Sequence, residues 1–229
     1  MSGLLQHADG GVLVLTLDRP RANAIDAALG AAFVSALRET AARAVVLTGA
    51  GERVFCAGAD LKNPDDVPAE ILGPQRAATL AAMLAAMLDF DRPLIAAVNG
   101  AAAGAGAMLA LLADRVIAVE TARFSLPEID VGMPTFLGLA ILGDLAGSAL
   151  AGDLVQSGRA MGAAEAASRG LAECVAAADL MPRALAAARM LAAKPAAAFA
   201  ANKRWLQGAR RAAIDRAIAA SASHRAGRG

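Results

Sequence analysis

The sequence predicts an α/β fold with strand–helix units first and helices last. Three observations carry this. Short, β-branched or fully apolar runs stand at residues 12–17, 44–48, 94–98 and 115–119. Segments of helical periodicity separate them, and from Leu137 onward almost everything reads as helix.

Residues 12–17 alternate Val and Leu before Thr16 and form the first strand. Asp18-Arg19-Pro20-Arg21 is a loop. Asp26 caps a helix over residues 27–41, with Leu29, Phe33 and Leu37 on one face. Residues 44–48 are a buried strand, and Gly49-Ala50-Gly51 turns the chain. The Gly-rich segment 56–62 follows, then a loop at Asn63-Pro64-Asp65-Asp66 and an amphipathic helix over residues 72–88. Residues 94–98 are a third strand, 104–112 a helix and 115–119 a fourth strand. Helices are expected near 163–169, 180–192, 196–206 and 212–222, with a short strand at Cys174-Val175. No Pro/Ser-rich linker divides the chain, so one continuous domain is expected, weakest at Gly147-Ser148 and near Asp179. No strict repeat is visible.

Composition narrows the function. The 229 residues carry 22 basic and 21 acidic side chains, a net charge of +1. That balance, with aromatics at 3% and no Tyr, speaks against a nucleic-acid-binding face and base-stacking platforms. Cys56 and Cys174 are too few for a disulfide scaffold. No CxxC or HExxH is present and the two histidines, His7 and His224, lie near opposite ends, so no metal or other cofactor is expected. The first residues lack the basic start and apolar run of a signal peptide, so a cytoplasmic location is expected. Residues 94–113 are uncharged over a length near that of a membrane span. Asn99-Gly100 interrupts them and Asp114-Arg115 closes them, so a buried strand, a turn and a buried helix are expected rather than a membrane partner.

Two Gly-rich turns bear on chemistry. Cys56-Ala57-Gly58-Ala59-Asp60-Leu61-Lys62 follows a strand, and Asn99-Gly100 through Gly106 joins a strand to a helix. Small residues there let the backbone approach a ligand, and equally let a helix pack on a sheet. The second turn feeds a helix N-terminus, whose free N–H groups favour developing negative charge. Such donors are the parts of an oxyanion hole. Gly49-Ala50-Gly51 fails the dinucleotide fingerprint because Val54 stands at its third glycine position, which disfavours a nicotinamide-dependent oxidoreductase. No GxxxxGK[ST] or GxSxG is present.

The ordered set is specific. Gly58-Ala59-Asp60-Leu61-Lys62, Val98-Asn99-Gly100 with its Gly-rich continuation, and Phe124-Ser125-Leu126-Pro127-Glu128 with Gly132 resemble the crotonase superfamily, the enoyl-CoA hydratases and isomerases. Arg19-Pro20-Arg21-Ala22-Asn23-Ala24 resembles its N-terminal CoA-binding turn. The segment Gly162 to Leu171 resembles its A-x-x-A-x-x-x-G-L helix and turn, and Ala201-Asn202-Lys203 its late helical motif.

The resemblance implies a crotonase-like spiral of ββα units over residues 1–190. A helical C-terminal trimerisation region, shorter than usual for the family, would cover residues 191–229. It implies an acyl-CoA thioester as ligand, with CoA a part of the substrate, and a homotrimer or dimer of trimers. It implies an oxyanion hole from the N–H groups of Ala59 and Ala105, the latter where the family usually has Gly. Arg21, Ala22, Ala57, Asp60, Leu61 and Lys62 would contact CoA, and Lys203-Arg204 would help from the helical region, of the same or a neighbouring subunit. Family hydratases use two glutamates; here Met108 stands at the first position and Glu128 at the second. A thioether exchanges no proton, so the two-carboxylate handling of water is lost. A single carboxylate still serves a 1,3-proton shift, as in the enoyl-CoA isomerases of the family. Burial beside Met108, Leu126 and Phe136 is expected to raise the pKa of Glu128. A hydratase or related lyase in which Asp130 or an ordered water replaces the missing acid, and a non-catalytic acyl-CoA-binding homologue, are the alternatives. Asp114 is expected to pair structurally.

Overall fold

A computed structural model describes residues 2–62 and 69–227. Ten strands and seven helices are assigned among these residues. Strands β1 (Leu4–Asp9) and β2 (Val12–Leu17) form a hairpin that leads into helix α1 (Ala27–Glu39). Then come β3 (Ala44–Gly49), β4 (Val54–Cys56) and α2 (Ala69–Asp89); β5 (Leu94–Val98), β6 (Ala101–Ala103) and α3 (Ala105–Leu112). β7 (Arg115–Val119) and β8 (Arg123–Ser125) precede a 3₁₀ turn at Pro127–Val131 and α4 (Phe136–Ser157). β9 (Met161–Gly162), α5 (Ala163–Ser168), β10 (Glu173–Val175), α6 (Leu180–Ala192) and α7 (Ala196–Ala226) complete the chain.

The topology shows a repeat that the sequence hides. Each of the pairs β3–β4, β5–β6 and β7–β8 sends its first strand to a six-stranded sheet, ordered β1-β2-β3-β5-β7-β10. Each sends its second strand to a four-stranded sheet, ordered β4-β6-β8-β9. A helix follows every pair, so the chain winds as successive ββα units, the crotonase-like spiral. Only β1–β2 and β8–β9 pair antiparallel. β3 and β5 are buried along their whole length, as strands of a covered parallel sheet are. Asn99 ties the corners together. Its amide donates to the carbonyls of Gly49 at 2.9 Å and Gly51 at 2.7 Å.

Residues 94–113 divide among β5, β6 and α3, and all of α3 is buried, which explains an apolar stretch with no polar face. α2 and α4 are long and apolar enough, by length and composition, to cross a membrane. In the fold α2 lies against α1 and α4 against α7.

Several expectations are corrected. β1 is a strand although Leu4–Asp9 alternates poorly; its pairing with β2 places it. β6 is built from three alanines, poor strand formers, held between β4 and β8. The two helices expected at 196–206 and 212–222 are one, α7, which runs through Gly208 because Lys203, Gln207, Ile214 and Ala217 keep one face buried. The Gly147 joint is a kink inside α4, at φ 82°. The loop expected at 63–66 lies outside the described residues.

Candidate active site

β6 and β8 run parallel, with Ala103 opposite Ser125, and the Gly104 N–H bonds the Ser125 carbonyl at 2.9 Å. The chain leaving β8 therefore passes over the chain leaving β6. That crossing sets Glu128 above Gly104. A Cβ on Gly104 would stand 3.1 Å from Glu128 Oε1. The 3₁₀ turn then fixes the Glu128 backbone, whose carbonyl accepts the Met133 N–H at 2.9 Å.

The turn after β4 is pressed against the same spot. The Gly58 carbonyl accepts the Ile25 N–H at 2.8 Å, and the Asp60 N–H donates to the Ile25 carbonyl at 2.8 Å. In such a bridge the N–H of the residue between, Ala59, points away from Ile25. It makes no hydrogen bond among the described residues. Gly58 sits at φ +89°, and a Cβ there would come within 2.8 Å of the Ala103 carbonyl and 3.2 Å of the Ala105 nitrogen. Only glycine lets the two turns approach this closely. Ala105 opens α3, where an N–H has no intrahelical partner.

These groups border one cavity of about 750 Å³. Ala57, Gly58, Ala59, Gly104, Ala105 and Met108 line its floor. Glu128 and Asp130 stand on the 3₁₀ turn beside it, and the next stretch, Met133 to Leu137, continues the wall. α2 supplies a mainly apolar side with Pro74, Ala77, Ala78 and Ala81. Met108 and Leu126 are buried, as expected around Glu128.

Burial raises the Glu128 pKa, against a smaller downward pull from its own N–H and the Thr135 hydroxyl. Glu128 Oε2 is buried with no hydrogen-bond partner. Thr135 also caps α4, its Oγ1 accepting the Gly138 N–H at 3.3 Å. Cys56, beneath the floor, is pushed up to about 11 by burial, so it is a thiol and no nucleophile.

The residues expected to contact CoA gather but split. Ala57 and Leu61 line the cavity; Arg21, Ala22, Asp60 and Lys62 do not. The Ala22 carbonyl accepts the Ala57 N–H at 3.0 Å, which laces the N-terminal turn to this edge. Arg21 is exposed at the tip of that turn, at φ 87°. Burial alone would raise the Asp60 pKa, but the Lys62 N–H and the Arg19 guanidinium outweigh it and hold the carboxylate low. Arg19 reaches Asp60 at 2.7 Å, so Asp60 is engaged in pinning the loop.

Lys203 is a correction. It is buried against Asp114, at 2.7 Å, and does not line the cavity. The sequence reading also missed a wall. Ile218, Ser221, His224 and Arg225 of α7 close the cavity. Their spacing of three, three and one was the available signal, but nothing local says what a surface helix faces.

Residues 7–224 match the enoyl-CoA hydratase/isomerase family. A carnitinyl-CoA dehydratase of Salmonella typhi is 39% identical over 203 residues, covering 85% of this chain and 76% of that protein. Among solved structures, Pseudomonas aeruginosa DspI superposes with TM-score 0.84 at 28% identity, over 97% of this chain and 93% of that one. An enoyl-CoA hydratase from Bacillus anthracis superposes with TM-score 0.83 at 30% identity, over 94% and 89%.

Proposed function

The chain belongs to the enoyl-CoA hydratase/isomerase family, within the crotonase superfamily of acyl-CoA enzymes, and we propose that it shifts a double bond in an enoyl-CoA. The observation that carries this is the carboxyl of Glu128, 3.1 Å from the Cβ position of Gly104, with Met108 rather than a second carboxyl on the cavity floor. In this reading the thioester oxygen accepts hydrogen bonds from the Ala59 and Ala105 N–H groups. Glu128 removes a proton between the thioester and the double bond of a 3-enoyl-CoA. The dienolate charge rests on the oxygen, and the protonated Glu128 returns the proton to the far carbon. Burial raises the Glu128 pKa, which makes the carboxylate a stronger base for the first step. Arg21 and Lys62, both exposed on the turns that Ala22 and Ala57 join, would meet the CoA phosphates.

A second reading is hydration or dehydration. Asp130 lines the same cavity, and the likeness to a carnitinyl-CoA dehydratase and an enoyl-CoA hydratase favours it. The test offers purified protein 3-enoyl-CoA and 2-enoyl-CoA separately. Prompt conversion of the first with negligible hydration of the second is expected; the reverse outcome selects the second reading.

A further inference from the structure

Two buried side-chain polar atoms among the described residues lack a hydrogen-bond partner, Glu128 Oε2 and His224 Nε2. Both residues line the one cavity. Orphaned buried polar atoms are few in native proteins, and each calls for an explanation. The proton shift accounts for Glu128. It leaves His224 unexplained.

His224 sits where α7 closes the cavity. Its ring meets Phe136 edge to face, with centroids 6.0 Å apart at 70°, so packing orients the imidazole. Ile218, Ser221, His224 and Arg225 share one face of the helix. The Ser221 hydroxyl already donates to the Ala217 carbonyl at 2.8 Å, so it is not a free donor. Arg225 is exposed, and its guanidinium makes no ion pair or hydrogen bond among the described residues.

Arg76, Glu128 and Asp130 are the other charged groups on the cavity. Arg76 donates to the Lys62 carbonyl at 3.0 Å. The Asp130 carboxylate packs at the end of α4, with its oxygens 3.0 and 3.1 Å from the Cβ position of Gly158. The rest of the cavity is mostly apolar. A hydrocarbon chain filling it would leave His224 Nε2 unsatisfied and Arg225 idle. A cationic chain end would meet the Arg225 guanidinium.

We infer that the acyl group of the substrate ends in a carboxylate, held by His224 and Arg225 of α7. In the tautomer that carries its proton on Nε2, the imidazole donates to one carboxylate oxygen. The guanidinium donates to the same group. α7 is thus a specificity wall of the cavity that Glu128 also lines. This deepens the acyl-CoA reading above and rests on it.

The test measures binding rather than turnover. Glutaryl-CoA and pentanoyl-CoA have the same number of acyl carbons and no double bond to move, and differ in a carboxylate or methyl end. Calorimetry on the purified full chain is expected to show roughly tenfold tighter binding of glutaryl-CoA. Arg225→Ala, at an exposed position, and His224→Ala should each reduce that ratio to about threefold, and together to parity, with His224→Gln keeping part of it. Equal affinities in the unaltered protein, or a preference for pentanoyl-CoA, would overturn the inference and leave the acyl-CoA reading standing. Variants that weaken both thioesters by one factor, with the ratio intact, would assign α7 a structural role only and overturn it as well. Failure of both thioesters to bind would overturn the acyl-CoA reading together with it.

Discussion

Asp114 and Glu128 stand at opposite ends of α3 and have opposite fates. Asp114 follows the helix; its Oδ2 accepts the Leu94 N–H at 2.8 Å and Lys203 Nζ at 2.7 Å. Lys203 in turn donates to the Arg92 carbonyl at 3.0 Å and sits over the Phe90 ring at 5.6 Å. Burial pushes the Asp114 pKa up and the Lys203 pKa down, and each charge opposes the shift of the other. The pair is closed on itself. Glu128 lies over the N-terminal end, and burial raises its pKa with no cation beside it. One of its oxygens has no partner. A satisfied buried carboxylate joins α3 to α7, whereas an unsatisfied one keeps its hydrogen-bonding capacity for something outside the protein.

The contrast can be broken at either end. The largest effect is expected at Glu128. Glu128→Gln should lower kcat by about a thousandfold while acyl-CoA binding changes little. Full turnover by this variant in both enoyl-CoA assays would place the base elsewhere. At the other end, Lys203→Ala strands a buried carboxylate and should cost about 3–5 kcal/mol in urea unfolding. Lys203→Met combined with Asp114→Leu should regain most of that loss, because an apolar pair needs no partner. A loss below about 1 kcal/mol for Lys203→Ala would mean that the pair behaves as a surface one.

The smallest effect sharpens the comparison. The folded-state pKa of Glu128 lies above its unfolded value, so folding favours the protonated carboxyl. Its contribution to stability is present at low pH and is lost as pH rises through the raised value. Above that value the buried carboxylate, with Oε2 unpartnered, carries a desolvation cost of about 1 kcal/mol. Glu128→Gln should then raise Tm by roughly 2–4 °C at pH 8, with the gain fading towards pH 4. Thermal melts at the two pH values decide this. A lower Tm for the variant at pH 8 would show that the carboxylate is satisfied after all.

The floor of the cavity was legible because it is made of short, ordered motifs. Gly58, Gly104 and Glu128 lie in segments whose residue types are constrained by close backbone approach, and that constraint is written locally. The parallel strands at Ala44–Gly49 and Leu94–Val98 were legible from apolar runs bounded by turns. β6 was not, since three alanines favour helix and only their neighbours β4 and β8 hold them extended. The role of Lys203 was misplaced for a similar reason. A lysine on a late helix reads as solvated, and its partner stands 89 residues earlier.

By itself the sequence determined which residues of the two Gly-rich turns and the Pro127 segment meet at one cavity, Ala59, Ala105, Met108 and Glu128 among them. Only the tertiary structure decided what closes the cavity. α7 begins 91 residues after α3 begins, at Ala196 against Ala105, and its inward face depends on long-range packing against α2 and α4. Side-chain identity limits which reactions are open, but burial and facing are collective properties of the folded chain. His224 therefore looks like an ordinary terminal residue in the sequence, and becomes a half-buried wall of the site, with Nε2 unpartnered, only in the fold.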